Sequence, residues 1–248
     1  MTEQQFIIPD WPAPTNVHAV VTTRRGGVSR PPYDSFNLAA HVGDDPAAVR
    51  ANRARLRATL ALPAEPVWLR QVHGIAVVDA AHTGTELEAD GAFAMRPGAV
   101  CAVLTADCLP VLLCNRDGTK VAALHAGWRG LAAGIIEQGV QALQTASHSL
   151  LAWLGPAIGP QAFEVGPEVR EVFVRHDAQA TDAFHPGHGD RYLADIYLLA
   201  RQRLARLGVE AVYGGGFCTA TDNARFYSYR RNGACGRMAS LIWLSNGQ

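Results

Sequence analysis

Three side chains of metal-binding type sit in separate apolar segments of this chain: His73 in WLRQVHG, Cys108 in TADCLP and His125 in LHAGWRG. Two imidazoles and a thiolate are a donor set that zinc takes in catalytic sites, where a fourth position stays open to water or substrate. No two of the three form a local CxxC or HxxxH pair. That argues against a zinc knuckle and suits a site assembled from separate strand ends. Spacing alone leaves ordinary alternatives open, because a histidine in an apolar strand is often a satisfied core residue and a lone cysteine a small buried hydrophobe. The contexts favour ligation. His73-Gly74 and His125-Ala126-Gly127 place each imidazole beside small residues, where another group can approach closely. Asp107 precedes Cys108 and Leu109-Pro110 follows it, so the Asp-Cys pair reads as a break in a strand.

The elements that must position these residues read as mixed α and β. Val17 to Thr23, Val67 to Val72, Ile75 to Val78, Val100 to Thr105, Val111 to Cys114, Val121 to His125, Leu151 to Leu154, Val209 to Tyr213 and Met238 to Leu244 are short runs rich in β-branched and aliphatic residues. The central runs are continuously apolar, which predicts strands covered on both faces. A helix is predicted after Asp44-Asp45-Pro46, with Val49, Leu56 and Leu60 inward. Further helices are predicted over Leu131 to Leu143, from Gly166-Pro167 with Val169, Val172, Phe173 and His176 on one face, and from about Ala194 to Leu207. Strands outnumber helices and simple βαβ alternation is absent. The expectation is therefore a layered α+β arrangement in a single domain spanning residues 1–248, rather than a Rossmann-type sheet.

Composition narrows the function. The chain has 248 residues, 48% of them hydrophobic, with 22 basic and 22 acidic residues. A balanced charge gives no reason to expect a nucleic acid or an anionic membrane as partner. The N-terminal stretch MTEQQFIIPDWPAP lacks the basic start and apolar core of a signal peptide. No apolar run is long enough to span a bilayer. Five cysteines cannot all pair internally, which points to free thiols, a reducing compartment and hence the cytoplasm. Nothing in the sequence signals an oligomeric state.

Taken in order, QVHG, TADCLPVLL, HAGWRGL, GPAIGPxxFEVG and FYSYRR, together with the N-terminal RRGGVSRPPYDSFNLAAHVGDD and the helix carrying Asn52-Arg53, make a chain that resembles the YfiH family over nearly its whole length. That family was once called laccase-like or multicopper polyphenol oxidase. It is now associated with purine nucleoside phosphorylase activity and, in some bacteria, with peptidoglycan editing. The resemblance implies a single layered α/β/β/α domain with mixed sheets, of the YfiH/CNF-like kind. It also implies a zinc ion at His73, Cys108 and His125. The implied chemistry is phosphorolysis of adenosine, inosine and methylthioadenosine, with purine nucleoside and phosphate as partners, together with adenosine deamination. Copper is a weaker expectation. Copper outcompetes zinc at most such donor sets, but the HxH and HCH pairs of a multicopper oxidase are absent, and His185-Pro186-Gly187-His188 reads as an exposed loop.

Phosphorolysis needs cations for the phosphate, and the arginine fork pairs two oxygens at once. Arg25 beside Gly26-Gly27, Arg129 after the His125 motif, and Arg230 or Arg231 are the candidates, each against the alternative of a solvated surface arginine. Deamination needs an activated water, whose pKa a three-ligand zinc lowers to about 7, and a proton shuttle. Asp107 is the shuttle candidate, with a turn or capping role as its alternative. Asn37 and His41 are candidates for substrate contact, with local backbone bonding as theirs. Phe226 or Tyr229 could stack on a purine, or pack the core. A rival enzyme reading makes Cys108 a thiolate nucleophile activated by His125 or His73 with Asp107 assisting, as in a hydrolase editing peptidoglycan precursors. A non-enzymatic reading needs a closed, four-ligand zinc site, with Cys218 the best fourth donor and Cys101 and Cys114 behind it.

Overall fold

The computed structural model describes residues 5–81 and 87–246, so the first four residues of the N-terminal stretch lie outside it. In chain order its strands are β1 (Phe6–Ile7), β2 (Val17–Thr22), β3 (Val77–Asp79), β4 (Gly91–Ala94), β5 (Val100–Thr105), β6 (Leu109–Asn115), β7 (Val121–Ala126), β8 (Leu150–Leu154), β9 (Glu164–Val165), β10 (Phe184–Pro186), β11 (Tyr192–Ala194), β12 (Ala211–Gly214) and β13 (Met238–Leu244). Its α-helices are α1 (Pro46–Thr59), α2 (Trp128–Ala133), α3 (Ile135–Ala142), α4 (Pro167–His176), α5 (Ile196–Arg206) and α6 (Tyr229–Asn232). A four-stranded sheet runs β1-β2-β13-β5, a six-stranded mixed sheet runs β12-β8-β6-β7-β4-β3, and a small sheet runs β10-β11-β9.

The layers follow from alternation hidden inside apolar runs. Along β6, Leu109, Val111 and Leu113 face one cluster with α3 and α5, while Leu112 and Cys114 face another. Along β5, Cys101 and Val103 join that second cluster, whereas Val100, Ala102 and Leu104 pack with Leu56 of α1. β13 divides in the same way, with Met238 and Ile242 on one side and Ala239, Leu241 and Trp243 on the other. Each of the two larger sheets is thus sandwiched between the other and a helical layer, giving the order α, β, β, α. Strands covered on both faces gain nothing from polar residues, so the period of two survives only in which cluster each side chain joins.

Strand pairing brings the central motifs together. β6 and β7 are an antiparallel hairpin in which Leu109 opposes Ala126 and Pro110 opposes His125. Cys108, just before β6, therefore lies beside the end of β7. The turn Asn115–Gly118 closes the hairpin, with Asn115 Oδ1 accepting from Thr119 N and Lys120 N at 2.9 Å each.

Several expectations are corrected. Val67 to Val72 is not a strand: only isolated bridges form there, Val67 to Cys101 and Arg70 to Glu88. Ile75 to Val78 holds in its second half alone, where Val77 and Val78 open β3. The N–H groups of Val72, His73 and Gly74 are taken by the Asp90 carboxylate instead of a ladder. The helix over Leu131 to Leu143 is two helices, because Gly134 adopts φ +109° between them and its own N–H closes α2 onto Gly130. On α4, Val169 and Phe173 are buried, but Val172 and His176 are exposed, so the apolar stripe is narrower than expected. The helix expected from Ala194 starts at Ile196, where the Asp195 side chain accepts from Leu198 N and caps it.

Candidate metal centre

His73, Cys108 and His125 converge. One donor atom from each lies within 4.8 Å of the others, and His73 Nε2 is 3.8 Å from Cys108 Sγ. The two imidazole rings meet edge to face, with centroids 4.9 Å apart. Their burial is graded, from exposed His73 through half-buried Cys108 to His125 at 3% exposure. The set is thus seated in protein on one side and open on the other. Among the described residues no fourth Cys, His, Asp or Glu joins the group. Cys218 instead accepts from Gly159 N at 3.2 Å, and Cys101 and Cys114 are buried in the strands. The closed four-ligand site that a structural zinc requires is not formed by these residues.

The residues fit a metal. Gly127 follows β7, and a Cβ built there would stand 2.8 Å from His73 Cδ2 and 3.0 Å from Cys108 Sγ. The missing side chain is what lets the three donors share a centre. Gly130 does the same for the backbone, since its Cβ would meet the Gly74 carbonyl at 2.8 Å. Gly127 has φ −63°, which alanine adopts freely, so Gly127→Ala tests the steric cradle alone. The expected result is zinc affinity at least about tenfold weaker in a chelator competition, with an unchanged circular dichroism spectrum. Wild-type affinity in that variant would show that the donors can part without cost.

Asp90 is the residue that sequence reasoning missed. It is fully buried and precedes β4. Its Oδ1 accepts from His125 Nδ1 at 2.8 Å and from His73 N at 2.9 Å, and its Oδ2 accepts from Gly74 N at 2.6 Å and Val72 N at 3.2 Å. His73 sits at φ +60°, a left-handed conformation that a non-glycine residue keeps only when its surroundings hold it there. Gln71 ties the same segment to β5: its Nε2 donates to Leu104 O at 2.8 Å and its Oε1 accepts from Leu104 N at 2.7 Å.

Electrostatics follow from this packing. Burial pushes the Asp90 carboxyl up, but the His125 hydrogen bond and the backbone N–H groups outweigh it and hold the carboxyl below its usual range. Burial likewise opposes charge on Cys108 and His125. Each is the other's main counterweight, so the thiol is lowered and the imidazole raised. Both shifts favour a thiolate beside an imidazolium, and thiolate is also the form in which cysteine binds zinc.

The centre opens into a cavity of about 490 Å3, within the size range of small-molecule sites. Trp128, Phe163, Ile158 and Ile196 give it an apolar wall, while Arg129, Arg230 and Arg237 bring three guanidinium groups. Arg230 is anchored by Nη1 to the carbonyls of Glu164 and Ala162, at 3.0 and 3.3 Å. Arg237 is anchored by Nη1 to the carbonyls of Cys235 and Gly236, at 2.8 and 3.0 Å. Arg129 stacks over Trp128 with its guanidinium carbon 4.5 Å from the ring centroid. The carboxylate in this lining is Asp107, and both its oxygens are engaged, by Thr219 Oγ1 at 2.6 Å and Arg230 N at 2.7 Å.

The structure sorts the other sequence candidates. His41 lines the cavity, and partial burial with the cations of Arg237 and Arg53 lowers its pKa, leaving it neutral near pH 7. Tyr229 stands at the rim, 61% exposed. Phe226 is fully buried in the inter-sheet core and is not available for stacking. Asn37 is fully buried as well. Its amide bonds Ala39 in both directions, at 3.0 and 3.1 Å, and its Oδ1 accepts from Arg237 N at 3.0 Å, so it braces a cavity arginine rather than facing the cavity. Arg25 lies in a separate surface notch with Asp34 and Asn223 and donates to Ala224 O at 2.7 Å. Arg231 spends its fork on the carbonyls of Thr219, Ala220 and Phe226. Asp107, at φ +92°, lines the cavity with one donor on each carboxylate oxygen, from Thr219 Oγ1 and Arg230 N. Arg237 was not anticipated, since an arginine just before a strand looks like any surface residue.

Comparison with known proteins gives this chain relatives along nearly its whole length. The family model described as multi-copper polyphenol oxidoreductase laccase matches residues 18–245. An Escherichia coli K12 protein named purine nucleoside phosphorylase YfiH is 58% identical over 243 residues, covering 97% of this chain and 99% of its own length. A purine nucleoside phosphorylase of Pseudomonas aeruginosa is 57% identical over 242 residues, with the same coverage. Among solved structures, Neisseria meningitidis protein NMB0706 superposes with a TM-score of 0.95 at 48% identity, over 98% of this chain and 100% of that one. YlmD from Geobacillus stearothermophilus superposes with a TM-score of 0.91 at 29% identity, over 99% of this chain and 98% of that one.

Proposed function

This chain belongs to the family described as multi-copper polyphenol oxidoreductase laccase, with YfiH purine nucleoside phosphorylases among its relatives, and from that premise we propose that it is a zinc-dependent purine nucleoside phosphorylase. Its proposed substrates are adenosine, inosine and methylthioadenosine. The observation that carries the reading is the pairing, in one cavity, of a three-donor metal group with three arginines against a single lining carboxylate, Asp107. A cavity with that excess of fixed positive charge suits a dianion such as phosphate.

In phosphorolysis a phosphate oxygen forms a bond to C1′ of the ribose as the bond from C1′ to the purine nitrogen breaks. The electron pair of that bond leaves with the base, and the products are the purine and ribose 1-phosphate. Arg129, Arg230 and Arg237 hold and orient the phosphate. Trp128, Phe163, Ile158 and Ile196 exclude water and pack the faces of the purine. His41, being neutral, can accept a hydrogen bond from a ribose hydroxyl. His73, Cys108 and His125 would hold the zinc ion, which would supply Lewis acidity to the cavity they line. The site does not resemble a multicopper centre, since the described residues offer one group of three donors. Zinc is therefore the metal proposed, with copper an adventitious competitor.

For adenosine deamination the proposed shuttle is Asp107, whose carboxylate takes one donor on each oxygen, from Thr219 Oγ1 and Arg230 N, and keeps lone pairs for a water. The peptidoglycan-editing alternative keeps one specific support, the Asp90–His125–Cys108 array, which is also what a thiolate nucleophile would need. The five free cysteines fit the reducing cytoplasm, and among the described residues no helix is long and apolar enough to cross a membrane.

Incubation of the purified protein with adenosine, with and without phosphate, separates these chemistries by chromatography. Adenine and ribose 1-phosphate formed only with phosphate are the expected products. Inosine formed without phosphate would establish the deaminase, and no turnover of any of the three nucleosides would overturn the proposal.

A further inference from the structure

The Asp90 carboxylate is fully buried and takes four donors, three from the backbone of the His73 turn and one from the His125 ring. Its own carbonyl accepts from His125 N at 2.7 Å, which fixes Asp90 against β7 beside the ring it also grips. One side chain therefore sets the turn that presents His73 and the orientation of the ring of His125, two donors that lie far apart in sequence.

We propose that Asp90 is the positioning residue of the metal centre: it fixes His125 as the Nδ1–H tautomer, leaving Nε2 free to ligate, and holds His73 in its left-handed turn. The inference rests on the metal-centre reading above. The chemistry is specific to a carboxylate. Both Asp90 oxygens accept, so the group that His125 turns toward Asp90 must be an N–H. A metal ligand's second nitrogen is held in this way wherever an outer carboxylate orders the ring. In Asp90→Asn the amide oxygen can still take Gly74 N and Val72 N. The amide nitrogen then faces His73 N, donor against donor, and donates to His125 Nδ1, which drives the ring proton to Nε2. The variant keeps the size of the side chain and inverts the tautomer.

The test measures zinc affinity by competition with a chromophoric chelator, and the His125 tautomer by nitrogen-15 NMR, in wild type and Asp90→Asn. Zinc bound about 10–100-fold more weakly by the variant is expected, with Nδ1 alone protonated in the zinc-loaded wild type and Nε2 alone protonated in the metal-free variant. A purely structural role would lower the melting temperature and leave the tautomer alone. Equal zinc affinity in the two proteins, or a zinc-loaded wild type whose His125 carries its proton on Nε2, overturns the inference. The wild-type tautomer decides the matter even if the variant does not fold. Failure of the wild type to bind zinc would instead remove the metal-centre reading, and the inference with it.

Discussion

Replacing Cys108 by alanine is expected to lower kcat/KM for phosphorolysis by at least about a thousandfold and to reduce bound zinc from near one equivalent to near none. A Lewis acid contributes several kcal/mol to a reaction it serves, and about 4 kcal/mol corresponds to about three decades in rate. Cys108 is the softest of the three donors and the one sulfur among them. Its loss leaves two imidazoles, which hold zinc poorly. The fold should survive, because the residue lies half-buried at the mouth of the β6–β7 hairpin while Leu109, Val111 and Leu113 carry the packing. Metal analysis and rate measured on the same preparation check the prediction. The same experiment judges the nucleophile alternative. A metal-free wild type should lose phosphorolysis, and its Cys108, lowered by the two histidines, should alkylate readily at neutral pH. Zinc should protect it. Metal-free protein that is fully active and is silenced by alkylation would instead favour the hydrolase.

The parts of this molecule that could be read from its sequence are those whose physics is local. Val100–Thr105, Val111–Cys114, Val121–His125 and Met238–Leu244 are legible because a strand covered on both faces must be largely apolar, although β6 itself begins two residues earlier, at Leu109. The start of α1 is legible because Asp45 and Pro46 are a cap and a first-turn residue. The turn around His73 is not legible, since it looks like a strand interruption and is held by a carboxylate well beyond it in sequence, at Asp90. Asp90 itself sits in the stretch LEADGAF, which reads as an ordinary turn, and its four donors come together only in three dimensions. Phe226 and Tyr229 belong to the same short motif, yet one is in the core and the other at the rim. Their type says aromatic, and only the path of the chain says which faces the cavity. Arginine gives the least away. Arg25, Arg231, Arg129 and Arg237 are chemically alike, and what separates them is how far backbone carbonyls have already used their donors and whether they reach the cavity.

That last distinction yields the second large effect. Arg129→Met is expected to lower kcat/KM for phosphate by about 10–150-fold, since a hydrogen bond to a charged group is worth about 1.5–3 kcal/mol. Arg129 is the cleanest of the three cavity arginines to remove. Its guanidinium stacks on Trp128, and methionine preserves much of that apolar contact while deleting the charge. Arg237→Met should act in the same direction, although Asn37 keeps its backbone in place through the bond to Arg237 N. If both arginines grip one dianion, the double variant should fall short of the product of the single effects, because the first loss already releases the phosphate from the geometry the second arginine serves. Lysine at position 129 should recover only part of the rate, since it restores charge without the planar fork. The loss should appear in KM for phosphate and leave KM for adenosine nearly unchanged, as the purine packs against Phe163, Ile158 and Ile196 on the apolar wall. A hydrolase acting through Cys108 has no use for phosphate, so its rate would show no such dependence on Arg129. Equal phosphate KM in wild type and Arg129→Met would place the anion elsewhere in the cavity and leave the guanidinium excess without a ligand.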